Sequence, residues 1–558
     1  MARIRGDLAE GRLLAHAQDL VHALQIESDG NLGPLFLNPP PDTDPELLRR
    51  MRQLYDAGAW VLVESAIADL PADLRWLYEA GTLTLEQLTI LYERLDVASL
   101  ADLIDAVHTH AVPSIPGLDE AVERAIEAAL PTLRRAIPRI PLGRAVTLVE
   151  PILEQIRSAP GVAWAHLAGS ARRAQDTVGD LEIVAAADHP GDAMEAVAHD
   201  ESVDRILHRS ARRLYLLTNR VQVGVRFPAV ADAGSVLLYL TGSTAHFRAL
   251  QERAAERGWT LTRNGLRASD GTLRMASTEE EIYAALELPL IPAEIRNGEA
   301  EIAVAAAGRL PELLSRDHIR GDLHMHSTWS DGRDSIGLMV GTCRQLGYEY
   351  VAMTDHSPRS GAVRTLTAHT VGAQAEEIAA LRERMPDITI LHGCEVDILP
   401  DGRLDFPDKV LEQFDIVLAS LHHRADQSRD ELLRRYIEAM RHPLVTIITH
   451  PANRMIPNNP GYDLDYDRLF EAAVETGTCL EIDGAPGHLD MDSALARRAV
   501  AAGVSVTVDS DAHRTDALAR QMGLGVATAC RGWVEPRHVL NTRPLADVRA
   551  VIKRKRDG

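Results

Sequence analysis

The sequence predicts a multidomain protein in which helical and α+β regions precede a C-terminal parallel β/α barrel. Its 558 residues exceed what one ordinary hydrophobic core accommodates, so several domains are expected. Helices broken at glycine give way to mixed strands and helices before residue 290. After residue 319, seven apolar strand-like runs alternate with amphipathic helices, which indicates a parallel sheet closed into a barrel.

Five regions follow from this pattern. They are a helical N-terminal region of unclear role (1–70), helices broken at glycines such as Gly81 and Gly117 (71–140), an α+β region (141–290), an acidic, alanine-rich connector (291–318) and the barrel (319–558).

Composition limits the class of protein. Hydrophobic residues make up 46% and charged residues 25%, as in folded globular proteins. We expect a cytoplasmic protein, because neither a membrane-spanning apolar run nor a secretory leader is present. Four scattered cysteines, Cys343, Cys394, Cys479 and Cys530, fit reduced thiols. The net charge of −22 argues against a generally basic nucleic-acid binder, although local arginines or bound cations reverse the sign of a cleft.

Nearly every predicted barrel strand ends in His, Asp or Glu. These residues are His324, His326, Asp355, His356, Glu395, His422, His423, His450, Glu481, Asp483, Asp509, Asp511 and His513. Catalytic residues of such barrels lie where the strands end. So many imidazoles and carboxylates at one rim would repel one another and resist desolvation unless cations lay among them.

One set of nine side chains suits two or three divalent ions. The set is His324, His326, Asp331, His356, Glu395, His422, His450, Asp511 and His513. Nitrogen and oxygen donors without thiolate fit Zn²⁺, Mn²⁺ or Fe²⁺. Paired ions of this kind clamp a phosphoryl centre and activate water, so phosphoester hydrolysis is the expected chemistry.

Three further residues are candidates for supporting roles. Arg454 is a candidate phosphate ligand, and a salt bridge to a neighbouring carboxylate is an equal alternative. Asp483 and Asp509 are candidate partners that orient ligating histidines.

The C-terminal region resembles the PHP (polymerase and histidinol phosphatase) domain. The resemblance lies in the order HxH, SDG, TDH, GxEVD, SLHH, THP and DAH over 319–558. It implies a distorted (β/α)7 barrel that binds up to three metal ions, and it implies that His422 rather than His423 is the ligand.

Upstream, the chain resembles bacterial family X DNA polymerases that carry such a domain. GSARRAQDTVGDLEI is similar to their nucleotidyltransferase palm signature, with Gly169, Ser170 and Asp180 as site residues. LLYLTGSTAHFRAL is similar to their sugar-contacting segment, with Thr241 and Gly242. The glycine-broken helices resemble helix-hairpin-helix elements, and this likeness implies DNA-backbone contacts at Gly81 and Gly117.

The palm departs from that family at the residues that would bind Mg²⁺. Asp180 is present, Glu182 replaces the second aspartate, and Gly224 stands where the third should be. Thr244, Phe247 and Gln251 replace Lys, Asn and Arg of the sugar-contacting segment. Loss of the third carboxylate removes a metal ligand, so we expect a palm that is weak or inactive in nucleotidyl transfer.

The sequence also excludes one activity of that family. Its amino-terminal domain acts in some members as a lyase through a lysine Schiff base. This chain has no lysine before Lys409, so a lysine-dependent lyase in the N-terminal half is excluded.

The leading prediction is a metal-dependent phosphodiesterase that acts on DNA ends, gaps or single strands as a 3′-5′ exonuclease or 3′-end-processing repair enzyme. We expect a monomer that does not bind membranes. The alternatives are a small-metabolite phosphatase, a DNA-binding scaffold with two relic sites, and a still active family X polymerase. The complete nine-residue set argues against the scaffold.

Overall fold

The computed structural model describes residues 72–557 except 96, 98, 137, 424 and 425, and upstream of them only positions 45, 48, 49 and 52. The predicted helical region 1–70 therefore lies outside the described residues, apart from those four positions. In the described part, no helix combines the length and the apolar character needed to cross a bilayer.

A helical unit opens this part of the chain, with helices Ala72–Glu79, Leu85–Leu95, Leu100–His108 and Glu120–Ala136. Apolar side chains spaced three apart, such as Leu88 and Leu91, are buried in one core. Gly81 and Gly117 lie in the turns with φ angles of +67° and +95°, a left-handed conformation that favours glycine. The predicted glycine turns are thus observed.

A mixed sheet follows the helical unit. Its strands are β2 (Val162–Leu167), β4 (Leu181–Ala187), β5 (Arg205–Arg209), β6 (Arg213–Thr218) and β7 (Val221–Arg226), and the short β1 (Ile140–Pro141) and β3 (Thr177–Val178) pair beside it. The strand order is β2-β4-β7-β6-β5, and only β4 and β7 are parallel. Helices Leu142–Ser158, Gly169–Arg172 and Gly191–Ala198 accompany the sheet. This arrangement is the predicted α+β region.

A smaller unit precedes the barrel. It contains helices Ala233–Thr241, Thr244–Glu256 and Glu279–Ala285 and an antiparallel sheet of β8 (Trp259–Thr262), β9 (Gly265–Ala268) and β10 (Leu273–Arg274). Ser243 begins the second helix, because its Oγ accepts a hydrogen bond from the His246 amide at 3.1 Å. A short helix, Glu301–Ala306, lies within the predicted connector.

Seven parallel strands form the C-terminal sheet. They are β11 (Gly321–Asp322), β12 (Tyr350–Met353), β13 (Thr389–Asp397), β14 (Ile416–Ser420), β15 (Val445–Ile448), β16 (Cys479–Asp483) and β17 (Val506–Asp509). The strands lie in sequence order. The accompanying helices are Ile336–Gln345, Val371–Arg384, Asp408–Leu411, Arg429–Arg441, Tyr466–Thr476, Ser493–Ala501 and Thr515–Arg531. The predicted strand–helix alternation is confirmed.

The first and last strands of this sheet meet and close the barrel. Met325 and Ala512, just beyond β11 and β17, form a parallel bridge. Asn541 is fully buried at the same seam. Its Nδ2 donates to the carbonyl oxygens of Gly321 at 2.9 Å and Val508 at 2.7 Å. The predicted barrel is therefore observed.

Apolar side chains fill the end of the barrel where the strands begin. The last helix, Leu545–Asp557, contributes Val548 and Ile552 to one buried cluster. That cluster includes Tyr350, Ile416 and Cys479, the first residues of β12, β14 and β16. Polar side chains are therefore left to collect at the opposite end, where the strands finish.

Candidate metal centre

Strand β13 illustrates how the fold delivers carboxylates to the inside of the barrel. Cys394 and Val396 belong to the core that includes the surrounding helices, whereas Leu391 belongs to the cluster inside the barrel. Neighbouring side chains of a strand point to opposite faces, so Glu395 shares the inward face with Leu391. Glu395 is fully buried at this position.

All nine predicted ligands come together at the end of the barrel where the strands finish. Donor atoms lie within 4.8 Å of one another in three groups: His326, Asp331, His356 and His513; His324, His326 and Asp511; His356, Glu395 and His422. His326 and His356 each belong to two groups, so the groups are contiguous. The ninth side chain, His450, has its Nε2 3.0 Å from Glu395 Oε1.

Several of these donor atoms are buried and close together without being hydrogen-bonded. His356 Nδ1 lies 2.7 Å from Glu395 Oε2. Neither of these two atoms makes a hydrogen bond to a described residue. Asp331 Oδ1 and His326 Nδ1 are also buried without a hydrogen bond to a described residue. Buried polar atoms without partners are costly. Divalent cations would satisfy them, and the imidazole and carboxylate donors fit zinc, manganese or iron.

The electrostatics of the group differ from one ligand to the next. Burial acts to lower the histidine pKa values, but neighbouring carboxylates raise the pKa of four of the six, namely His324, His356, His450 and His513. Burial lowers the pKa of His326 to about 3, and the positive charge of His513 adds to this effect. Burial of Glu395 acts to raise its pKa, but charges such as that of His356 hold this pKa well below the ordinary value. A neutral imidazole and an ionised carboxylate are the forms that ligate metals.

Two carboxylates orient ligand histidines. Glu481 Oε1 lies 2.6 Å from Nδ1 of His324, and Asp397 Oδ2 lies 3.0 Å from Nδ1 of His422. Partners of this kind fix the ring orientation and leave the other ring nitrogen for a ligand. His423, in contrast, is exposed and belongs to none of the three groups.

The orienting carboxylates differ from the two that the sequence offered as candidates. Asp483 Oδ1 accepts from the Ala485 amide at 2.6 Å, and Asp509 Oδ1 accepts from the Leu323 amide at 2.8 Å. Both candidates therefore bond to backbone. Sequence reasoning placed Glu481 at the same strand end but gave no signal for its role.

A further histidine was missed by sequence reasoning. The ring of His488 stacks on that of His450 with centroids 5.7 Å apart. Its Nδ1 is buried and makes no hydrogen bond to a described residue. His488 lies outside the predicted strand ends, in the loop after β16, so the strand-end pattern did not reveal it.

Arg454 forms salt bridges, which were the predicted alternative to phosphate binding. Its Nη2 lies 2.6 Å from Asp176 Oδ2, and its Nη1 lies 3.4 Å from Asp492 Oδ2. Its Nε donates to the His488 carbonyl oxygen at 2.8 Å. The guanidinium is thus engaged by protein groups, and we assign Arg454 to the contact between the α+β region and the barrel.

The carboxylate of the palm-like sheet is held by a guanidinium. Strands β4 and β7 place Glu182 opposite Gly224. Arg226 Nε donates to Glu182 Oε2 at 3.0 Å, and Arg226 Nη1 donates to Asp102 of the helical unit at 2.8 Å. A Cβ atom at position 224 would lie 2.5 Å from Glu182 Oε1. A third carboxylate therefore has no room unless Glu182 moves, and the residues do not fit a pair of metal ions.

The other predicted palm residues lie in neighbouring segments. A Cβ atom at Gly169 would lie 4.0 Å from the carbonyl oxygen of Asp180, and Arg172 Nη1 donates to Thr241 Oγ1 at 2.9 Å. Ser170 belongs to the helix Gly169–Arg172, and Gly242 follows the helix that ends at Thr241. Asp180 and Glu182 line a cleft of about 320 Å³.

Comparisons with known proteins agree with this architecture. The family model of the DNA polymerase beta thumb matches residues 236–297, and the PHP domain model matches residues 322–484. A DNA polymerase/3'-5' exonuclease PolX from Bacillus subtilis (strain 168) is 34% identical over 508 residues, which cover 90% of this chain and 89% of that protein. The chain belongs to the PolX family. The resemblance to family X polymerases with a PHP domain is thereby confirmed.

Other relatives of this PolX family member match a shorter part of the chain. A probable phosphatase from Syntrophotalea carbinolica is 29% identical over 230 residues, covering 39% of this chain and 90% of that protein. One from Thermoanaerobacter sp. (strain X514) is 32% identical over 204 residues, covering 34% of this chain and 78% of that protein.

Proposed function

We propose that the protein is a metal-dependent phosphodiesterase that removes nucleotides from DNA 3′ ends, with weak or no polymerase activity. The observation that carries this proposal is the contiguity of the three donor groups, which share His326 and His356 at one end of the barrel. The B. subtilis relative, named as a polymerase and 3'-5' exonuclease, supports the choice of substrate.

The nine side chains would hold two or three divalent ions in this proposal. Divalent ions at such a centre supply Lewis-acid activation of a water nucleophile and of the phosphoryl oxygens. In the hydrolysis, a water oxygen bonds to phosphorus while the bond from phosphorus to the 3′ oxygen of the preceding nucleotide breaks. The product is a nucleoside 5′-monophosphate.

The chain's own residues prepare the site for this chemistry. Glu481 and Asp397 bond Nδ1 of His324 and His422, so the Nε2 atoms face the donor groups. His324 and Glu395 are fully buried, which keeps competing water from these donors. The upstream units would then serve to position DNA, with backbone contacts at Gly81 and Gly117.

Substrate preference tests this proposal against its main competitor. The full chain with Mn²⁺ should shorten a 5′-labelled single strand stepwise and should process a panel of phosphomonoesters poorly. A His324→Ala variant should lose the cleavage, whereas Asp180→Ala should retain it. Immediate release of the 5′ label together with stepwise shortening of a 3′-labelled strand, or no cleavage of DNA at all, would contradict the proposal.

A second candidate is a phosphatase for a small phosphorylated metabolite. Two observations favour it: the barrel's similarity to proteins named as probable phosphatases and the net charge of −22. In the substrate panel, this candidate predicts release of inorganic phosphate from monoesters and intact oligonucleotides. The palm-like units, absent from those shorter relatives, argue for DNA.

Active polymerization is the least favoured alternative. Glutamate ligates Mg²⁺, but Glu182 is hydrogen-bonded to Arg226. Gly224 provides no carboxylate at the third position. Steady primer extension with dNTPs by a His324→Ala variant would refute the proposal of a weak palm.

A further inference from the structure

Two loops flank the donor group formed by His326, Asp331, His356 and His513. The first loop carries Arg333, whose backbone amide donates to the His513 carbonyl oxygen at 2.7 Å. The two ends of the second loop, residues 357–365, lie next to each other, because the Leu366 amide donates to the His356 carbonyl oxygen at 2.8 Å. Both loops are therefore fixed at their bases to residues of the candidate metal centre.

These loops carry three exposed arginines, Arg333, Arg359 and Arg364, which we call the arginine rim. Arg364 Nη1 donates to the carbonyl oxygen of Thr328 at 2.9 Å, so its side chain reaches the first loop from the second. Val363, between Arg359 and Arg364, is 100% exposed, so the second loop projects clear of the barrel. The three arginines thus lie on loops whose bases are bonded to the candidate metal centre.

Among the described residues, no guanidinium of the arginine rim forms a salt bridge, although Asp405 accepts a hydrogen bond from the Arg359 backbone amide at 2.7 Å. Several exposed arginines elsewhere on the barrel do pair with acids: Arg320 with Glu349 at 2.6 Å, Arg382 with Asp415 at 2.6 Å and Arg498 with Asp467 at 2.7 Å. In a chain of net charge −22, acidic partners are abundant. Three guanidinium groups without salt bridges in the described part of the chain are therefore available to an anionic ligand beside the candidate metal centre.

We propose that the arginine rim binds the phosphates of single-stranded DNA next to the phosphate that is cleaved. This inference rests on the proposed function and specifies its substrate as a polynucleotide backbone. The donor groups need only one phosphate, but a polyanion approaching an acidic protein needs cations along its path. Guanidinium groups suit this role because they donate several hydrogen bonds to phosphate oxygens.

The rim also separates the two candidate substrates. A small phosphomonoester has no second phosphate, so the arginine rim adds nothing to its binding beyond a weak attraction. A single strand presents neighbouring phosphates, each of which releases counterions when an arginine neutralises it. The rim therefore raises the affinity for DNA without contributing to the bond-breaking step. Its removal should change KM rather than kcat.

The test compares the full chain with a variant that carries Arg333→Ala, Arg359→Ala and Arg364→Ala. Each enzyme, loaded with Mn²⁺, is assayed on a labelled single strand and on bis(p-nitrophenyl) phosphate, a small diester without neighbouring phosphates. We expect KM for DNA to rise at least about tenfold in the variant, with the ratio of DNA to small-diester activity falling correspondingly. The dependence of log KM on log salt should flatten by about 0.7 for each phosphate that the variant no longer neutralises.

Two further variants act as controls. Arg549→Ala removes an exposed arginine from the helix that closes the opposite end of the barrel, so it should leave KM and the salt dependence unchanged. A variant with lysine at the three rim positions keeps the charge and should recover most of the salt dependence. Recovery by lysine also excludes a general folding defect as the cause of the weaker binding.

The outcomes distinguish the inference from the function on which it rests. An alanine variant with unchanged KM and salt dependence on DNA would overturn the rim while leaving the exonuclease intact. Equal decreases in activity on DNA and on the small diester would also overturn it, since they indicate damage to the donor groups. A wild-type chain that hydrolyses only phosphomonoesters would instead overturn the proposed function.

Discussion

At the scale of single residues, Glu481 connects two parts of the candidate metal centre. Its Oε1 lies 2.6 Å from His324 Nδ1, and its Oε2 accepts a hydrogen bond from the His450 amide at 2.8 Å. Glu481 is fully buried, so no solvent replaces either partner. One carboxylate thus fixes an imidazole from β11 and the backbone after β15.

Replacing Glu481 by Gln should weaken metal binding. The amide keeps the size of the side chain, but it loses the charge and turns an N–H group towards one of the two donors. We expect Mn²⁺ affinity to fall about 10- to 100-fold, as for other partners of metal-ligating histidines. Calorimetric titration with Mn²⁺ measures this. Glu475→Gln, on the exposed face of the helix Tyr466–Thr476, is the control. Equal Mn²⁺ affinities in wild type and in both variants would contradict the role of Glu481.

Glu279 gives a prediction for pH. Burial acts to raise its pKa, but Arg296 and Arg172 lower it from 4.5 to about 2. Because the pKa is lowered on folding, the stabilisation is present above the unfolded pKa and is lost as pH falls towards about 2. Glu279→Gln should therefore reduce the free energy of unfolding by about 3–5 kcal/mol at neutral pH, and less in acid.

Urea unfolding of both proteins at a series of pH values checks this expectation. The difference between wild type and Glu279→Gln should narrow as pH falls from neutrality into the acid range. Glu256→Gln serves as the control, because Glu256 is 71% exposed in its pair with Arg257 and surface pairs contribute little. A difference for Glu279→Gln that stays constant with pH would contradict the lowered pKa.

At the scale of elements, the barrel depends on the seam between its first and last strands. β11 contains only Gly321 and Asp322, so few backbone hydrogen bonds are available to it. Asn541 adds bonds to Gly321 and Val508, and its Oδ1 accepts from the Val508 amide at 3.1 Å. A side chain from the last part of the chain thus completes the pairing of β11 with β17.

Asn541→Ala should destabilise the barrel. The substitution leaves buried backbone groups of Gly321 and Val508 without this partner, at a cost of about 2–4 kcal/mol. The midpoint of thermal unfolding should fall, and Mn²⁺ should restore part of the stability by binding the folded barrel. Asn264→Ala, at an exposed turn of the smaller unit, should have no such effect. An Asn541→Ala variant as stable as wild type would contradict the role of the seam.

The palm-like sheet yields a second prediction at this scale. Gly224→Asp would supply the third aspartate that the palm lacks. The new Cβ atom, however, would lie 2.5 Å from Glu182 Oε1. We expect no gain in primer extension and a loss of about 1–3 kcal/mol in stability. Primer extension with dNTPs and urea unfolding measure the two effects. A variant that extends primers while remaining as stable as wild type would contradict this expectation. It would show that the Glu182 side chain moves aside at little cost in free energy.

The elements differ in how far the sequence predicts them. Strand alternation predicted the barrel, and the polar residues at strand ends predicted eight of the nine donors, because both patterns follow from local periodicity. Asp331 lies outside the strand ends, in the segment between β11 and the next helix. The seam and the role of Glu481 depend on contacts between distant residues: Asn541 meets Gly321 across 220 positions, and Glu481 meets His324 across 157. Local patterns carry no information on such pairings.

At the scale of the whole molecule, a partly buried set of ion pairs joins the α+β region to the barrel. Asp176 contacts Arg454 at 2.6 Å and Arg531 at 2.5 Å. Burial acts to raise the pKa of Asp176, but the two guanidinium groups lower it. Apolar contacts continue this junction, since Leu489 and Leu524 of the barrel lie in the core of the α+β region. The α+β region is thus firmly attached to the barrel, as its proposed role in positioning DNA requires.

The central claim concerns which of these two units holds metal ions, and the location of Mn²⁺ in the full chain tests it most directly. Anomalous scattering at the manganese edge from a crystal grown with Mn²⁺ would reveal the ions. We expect two or three peaks among His324, His326, Asp331, His356, Glu395, His422, His450, Asp511 and His513, and none beside Asp180 and Glu182. Peaks confined to the palm-like cleft, or nine side chains with no peak among them, would contradict the account.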